Sequence, residues 1–164
     1  MGDTGGNCVA ISPDGAFLAY GKSWYSTGGY IEIMDPIKGS MYMFGSSKDP
    51  GISSIIYSPD GKYLVTGNVR GDITFRNADN GFLVHTIKAH AQSVSEVIYS
   101  PDGQILASSS SDGTIKFWDA STWQELGSFT GHLGGIRTIA FNPSGMMIVS
   151  SSIDGTIRFW GIAP

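Results

Sequence analysis

Two sets of residues carry groups that could do acyl-transfer chemistry. One set holds His90, Ser110 and Asp112, and the other holds His132, Ser152 and Asp154. A hydroxyl, an imidazole and a carboxylate are the nucleophile, base and orienting group of a hydrolytic triad. A tryptophan follows each set, Trp118 and Trp160, and every member of the second set lies 42 residues after its counterpart in the first. An active site is one constellation and has no reason to be copied at a fixed interval. The duplication therefore predicts a structural role. A buried indole N–H needs an acceptor, a buried carboxylate needs donors, and a histidine can serve both through its two ring nitrogens.

The elements that position these residues follow from the same interval. Ser12-Pro13-Asp14-Gly15 returns as Ser58-Pro59-Asp60-Gly61 and Ser100-Pro101-Asp102-Gly103, and in weaker form as Asn142-Pro143-Ser144-Gly145. Asp112-Gly113-Thr114-Ile115-Lys116-Phe117-Trp118 returns as Asp154-Gly155-Thr156-Ile157-Arg158-Phe159-Trp160. Proline presets φ for a turn and glycine supplies positive φ, so each landmark reads as a tight turn. Between turns the third unit offers four short runs rich in β-formers: Ser93 to Tyr99, Ile105 to Ser110, Thr114 to Trp118 and Trp123 to Phe129. Four antiparallel strands per repeat of this length predict an all-β chain of propeller blades.

These motifs, with Gly131-His132, resemble the WD-repeat family over nearly the whole chain, in four units. The resemblance implies a WD-type β-propeller with blades at about residues 7–50, 51–90, 91–132 and 133–164. Each blade has four antiparallel strands except the last, which lacks its fourth. It also implies a buried hydrogen-bond network in each blade, drawn from His90, Ser110, Asp112 and Trp118 in unit three and from His132, Ser152, Asp154 and Trp160 in unit four. Loss of Trp118 is expected to cost about 3–5 kcal/mol, as for other buried tryptophans. Units one and two depart from the pattern. Arg70 and Arg76 stand at the Asp and Trp places of unit two, and Met34 stands at the Trp place of unit one. Those blades are expected to rely on apolar packing and ordinary ladder bonds.

Such blades usually close in rings of seven or eight, so four make about half a ring. A segment of a longer propeller, a pair of copies forming an eight-bladed ring, and a tight four-bladed ring all fit the sequence. The implied function is a non-catalytic scaffold binding other proteins or peptides, or a sensory or targeting module of a larger enzyme or kinase. The loops between second and third strands belong to the face that meets partners in this family. Unit one carries four extra residues there, around Ser23 to Thr27. Trp24 and Tyr25 on that loop would suit a binding hot spot. Val69, Arg70, Ser111 and Ile153 occupy the equivalent loops of the other units.

Composition bounds the alternatives. Of 164 residues, 41% are hydrophobic and only 15% charged, which is too apolar for a disordered segment. Net charge is −4 and the ten Lys and Arg are scattered. No stripe is present that could follow a phosphate backbone, so nucleic acid is not an expected partner. No apolar run approaches the roughly 18 residues that span a bilayer, and the N-terminus has no secretory pattern. With a single cysteine, Cys8, the expected setting is the cytoplasm or nucleus. Gly15 and Gly21 enclose one residue too many for a phosphate-binding loop. Arg70-Gly71-Asp72 matches an adhesion tripeptide in a chain with no other extracellular mark. No cofactor or metal is expected. In the channel-lining strands Glu96 and Arg137 are the nearest charges, and they form no evident acid–base pair.

Overall fold

In the computed structural model, which describes residues 8–24, 28–45 and 50–161, each Ser-Pro-Asp-Gly segment is a turn. Ser12 Oγ donates to Asp14 Oδ1, which also accepts from the Ala16 N–H, and Gly15 follows at φ 73°. The arrangement recurs at Ser58 with Asp60 and at Ser100 with Asp102. In the fourth unit an amide does the work of the hydroxyl. Asn142 Nδ2 donates to Ser144 Oγ, and Asn142 Oδ1 accepts from the Met147 N–H. These local bonds compete well with extended backbone, so each segment reverses the chain.

Among the described residues the turns separate fifteen strands in four antiparallel sheets. The first sheet holds β1 (Cys8–Ile11), β2 (Leu18–Trp24), β3 (Gly28–Met34) and β4 (Met41–Gly45). The second holds β5 (Ile52–Tyr57), β6 (Tyr63–Asn68), β7 (Asp72–Asn77) and β8 (Leu83–Lys88). The third holds β9 (Val94–Tyr99), β10 (Ile105–Ser110), β11 (Ile115–Asp119) and β12 (Glu125–Phe129). The fourth holds β13 (Ile136–Phe141), β14 (Met147–Ser152) and β15 (Ile157–Gly161). Strand order within each sheet is sequential. The first strands lie beside one another, β1 against β5, β5 against β9 and β9 against β13, so they form the inner edge of the stack.

Three apolar layers hold the sheets face to face. Ala19, Ile31 and Ile33 of the first sheet pack on Ile52, Ile55 and Leu64 of the second. Val65, Ile73 and Phe75 pack on Val94, Val97 and Leu106 of the third. Ala107, Ile115 and Phe117 pack on Ile136, Ile139 and Ile148 of the fourth. Burying such side chains contributes about 1.5–3 kcal/mol each, which no single sheet could gain alone. Polar bonds at the inner edge reinforce the layers. Val97 N–H donates to Ser54 Oγ across one boundary, and Ile139 N–H and Thr138 Oγ1 donate to Glu96 Oε2 across the next. Among the described residues the four sheets do not close on one another, so the architecture is a partial propeller of four blades.

Four strand assignments differ from the sequence reading. Ser23 and Trp24 were expected in a loop, yet they extend β2, opposite Gly29 and Gly28. The facing strand carries glycine at both places, and the ladder runs on to its end. Ser93 and Thr114 lie just outside their strands. Trp123 was expected to begin a strand, yet it sits in the turn before β12 at φ 60°, where the chain must reverse after Asp119.

Candidate functional site

The residues with catalytic types assemble into two buried relays. In the third sheet Trp118 Nε1 donates to Ser108 Oγ at 3.0 Å, and Ser108 Oγ lies 2.8 Å from His90 Nε2. His90 Nδ1 faces Thr114 Oγ1 at 3.0 Å and Asp112 Oδ2 at 3.3 Å. The fourth sheet repeats this with Trp160, Ser150, His132, Asp154 and Thr156. Each carboxylate also ties the turn to the incoming chain, Asp112 through the Ala91 N–H and Asp154 through the Leu133 N–H.

The serine in each relay is not the one the family resemblance implied. Ser110 and Ser152 were expected there, and Ser108 and Ser150 occupy the place. The ladder register explains the difference. Trp118 stands opposite Leu106, so its diagonal neighbour on β10 is Ser108, while Ser110 lies two residues farther along. At about 3.3 Å per residue, Ser110 is out of reach of the indole. Ser110 Oγ instead donates to the Ser93 carbonyl and accepts from the Asp112 N–H. Ser152 Oγ donates likewise to the Gly134 and Gly135 carbonyls. These serines fasten the link from the preceding sheet rather than the indole.

Order of contact makes Ser108, His90 and Asp112 look like a hydrolytic triad, but their setting does not serve one. Ser108 is fully buried, as is the His90 side chain, and the hydroxyl already accepts from an indole. No substrate carbonyl could approach that oxygen. Burial lowers the His90 pKa, against the pull of Asp112, so the ring is neutral and can act as both donor and acceptor. Burial of Asp112 would raise its pKa, but hydrogen bonds from Thr114 and Ala91 prevail and hold it below the usual carboxylate range. Hydrogen bonds led by the Thr156 hydroxyl do the same for Asp154. Among the described residues no group of His, Cys, Asp and Glu is placed to hold a metal ion, and no helix is long and apolar enough to cross a membrane.

The exposed candidates gather at one end of the stack. In each antiparallel sheet the turn after the second strand and the link after the fourth lie at the same end. Val69 and Arg70 occupy the turn between β6 and β7, Ser111 that between β10 and β11, and Ile153 that between β14 and β15. All four are exposed. Trp24 ends β2 at this same end, its side chain lying outside the described residues together with Tyr25.

Two further residues join this surface that the sequence reading did not place on it. Leu133, in the link between β12 and β13, is 93% exposed, and its N–H donates to Asp154, which follows Ile153 in the chain. Arg137 is the extra residue of a bulge in β13, between Ile136 and Thr138, and is exposed beside Ser111 and Ile153. A bulge re-aims its side chain, and only the register reveals it.

Comparison with known families follows this geometry. The model described as WD domain, G-beta repeat, matches residues 81–119 and 123–161, and the model described as Anaphase-promoting complex subunit 4 WD40 domain matches residues 39–98. The chain belongs to the WD-repeat family. A search of curated proteins finds no match. The WD repeats with the complete relay are the two at residues 81–161, and the stretch matched by the second model is the one where Arg70 and Arg76 replace Asp and Trp.

The departing WD repeat uses substitutes. Asn68 Oδ1 accepts from the Arg70 and Asp72 N–H groups, closing the turn that Ser110 closes in the next repeat. Thr66 Oγ1 and Thr74 Oγ1 lie 2.6 Å apart where the later repeats have serine and a basic residue. Asp72 pairs with Lys88 across the strand at 2.8 Å. WD repeats are typically non-catalytic modules that bind other proteins.

Proposed function

We propose that this chain is a non-catalytic platform that binds another protein through the end of the stack carrying Val69, Arg70, Ser111, Leu133, Arg137 and Ile153. The observation that carries the reading is the pairing of exposed aliphatics with unspent charge. Val69, Leu133 and Ile153 are 51%, 93% and 62% exposed. Arg70 and Arg137 are exposed beside them, and among the described residues neither makes an ion pair or side-chain hydrogen bond. An aliphatic patch rimmed by guanidinium groups suits a peptide segment bearing aliphatic and acidic side chains. The opposite end is unsuited to the same partner, because it presents Asp14, Asp60, Asp102 and Asp119 from its turns.

An intracellular, reducing setting belongs to this reading. Cys8 is unpaired, and burial pushes its thiol up to about 11, so it is a poor nucleophile and a poor metal ligand.

The test compares wild-type chain with Leu133→Asp/Ile153→Asp and with Arg137→Glu as baits for crosslinked partners. Both variants change only exposed side chains, so strand content should be unchanged by circular dichroism. A protein retained by wild type and lost by both variants supports the platform. Retention by all baits alike removes this end of the stack from consideration.

A further inference from the structure

The fourth sheet presents a face that every other sheet buries. Phe159 stands where the first three sheets have Ile33, Phe75 and Phe117, and Ile157 stands where they have Ile31, Ile73 and Ile115. Those six residues are at most 6% exposed, whereas Phe159 and Ile157 are 71% and 66% exposed. The first sheet shows the reciprocal deficit on its opposite face. Val9 is 59% exposed, while Ile55, Val97 and Ile139 at the same place are at most 7% exposed. Leu18 is half-buried, while Leu64, Leu106 and Ile148 are at most 1% exposed.

These two faces are the separated halves of one interface. The chain already makes that interface three times, and in each case a branched aliphatic and a second large apolar side chain, such as Ile73 with Phe75, meet a pair such as Val97 with Leu106. Ile157 with Phe159 and Val9 with Leu18 repeat that pairing in residue type and register. Contact between unlike faces is heterologous, and it must either close into a ring or propagate as a fibre. Propellers contain about four to eight blades, so two arcs of four fit the upper end of that range.

We propose that a second copy of this chain covers both faces, the fourth sheet of each copy packing on the first sheet of the other to form a two-fold ring of eight blades. The ring is independent of the platform reading, which concerns the turn end of the stack and not the sheet faces. Failure of one therefore leaves the other standing.

The experiment is light scattering with native mass spectrometry on the 164-residue chain and on Phe159→Asp and Val9→Asp. Wild type is expected at twice the chain mass of 17.4 kDa. Each variant places a carboxylate in both junctions of its own ring and is expected at the single-copy mass, with strand content retained because both residues are exposed. Mixing the two variants puts both carboxylates into one junction and leaves the other wild-type. The mixture is therefore expected to regain the two-copy mass. A single-copy wild type, a ladder of higher masses, a two-copy mass unmoved by Val9→Asp, or a mixture that stays single-copy would each overturn the ring.

Discussion

Trp123 of the third sheet stacks on His85 of the second, with ring centroids 4.7 Å apart and planes 18° from parallel. Phe75 and Tyr63 complete the cage around the indole. The residue makes this contact from an unfavourable backbone, φ 60°, at the place where the preceding repeat has Gly81 at φ 71°. The preceding repeat cannot hold a side chain there, because a Cβ on Gly81 would overlap the ring of Phe44.

Substitution of Trp123 separates the two terms. Truncating a half-buried tryptophan costs toward the low end of the 3–5 kcal/mol range for aromatic-to-alanine changes. Glycine at the same position recovers about 1–2 kcal/mol of left-handed strain that alanine retains. Trp123→Gly is therefore expected to unfold at higher denaturant concentration than Trp123→Ala, with both below wild type. Equilibrium urea unfolding checks the order, and a less stable glycine variant would show that the strain is not felt.

The repeat and the four sheets were legible because turn chemistry and β-propensity are local, and the polar types of the relay came with the family resemblance. The relay's actual serine was not. Ser108-Ser109-Ser110-Ser111 offers four hydroxyls in a row, and only the pairing of Leu106 with Trp118 selects among them. Trp123 misled for the opposite reason. Its residue type favours a strand, while the demand for a left-handed residue after Asp119 comes from chain geometry. Arg137 was visible as a charge, but its bulge depends on the ladder between β13 and β14. The separated faces were implied by four repeats, but the residues on them, Phe159 and Val9, emerge only when equivalent positions are compared for burial.

Energetic coupling distinguishes the two serines of the third sheet. Ser108→Ala leaves Trp118 Nε1 and His90 Nε2 without partners in a buried site, an expected loss of about 2–4 kcal/mol. Trp118→Phe removes the donor that Ser108 accepts. A double-mutant cycle on Ser108→Ala and Trp118→Phe should show a coupling of about 1–2 kcal/mol, while the Ser110→Ala cycle with Trp118→Phe should be additive within about 0.5 kcal/mol. Equal couplings would contradict the register given above.

Acidification should weaken the fold in two stages. Burial depresses the His90 pKa, so below the ordinary histidine value of about 6.5 the unfolded chain takes up a proton that the folded chain refuses. Stability is then full above that pH and falls as pH decreases toward the depressed folded value. The second stage lies below about pH 4, where the turn carboxylates are protonated. The Ser121 hydroxyl, with Thr122, lowers Asp119 to about 2, and the Ser12, Ser58 and Ser100 hydroxyls hold Asp14, Asp60 and Asp102 low. Thermal unfolding followed from pH 8 to pH 3 should show both declines. His90→Gln should remove the first and keep the second.

Gly71 and Gly155 sit at equivalent turns with nearly the same backbone, φ 86° and φ 82°, yet their surroundings differ. A Cβ on Gly155 meets open space, so Gly155→Ala should cost only the left-handed strain, about 1–2 kcal/mol. A Cβ on Gly71 would overlap the carbonyl oxygen of His90 and crowd that of Gln92. These are backbone atoms that cannot rotate away, and the His90 N–H is itself bonded to the Gly71 carbonyl at 2.9 Å. Relief must come from moving the link between the second and third sheets, which carries His90 off Ser108 and Asp112. Gly71→Ala should therefore cost at least about 2 kcal/mol more than Gly155→Ala, as expected when a turn change also breaks a buried hydrogen-bond network. It should also shift the indole N–H resonance of Trp118, which Gly155→Ala should leave in place. A Gly71→Ala chain with wild-type stability and an unmoved Trp118 signal would mean that the turn and the relay are not mechanically joined.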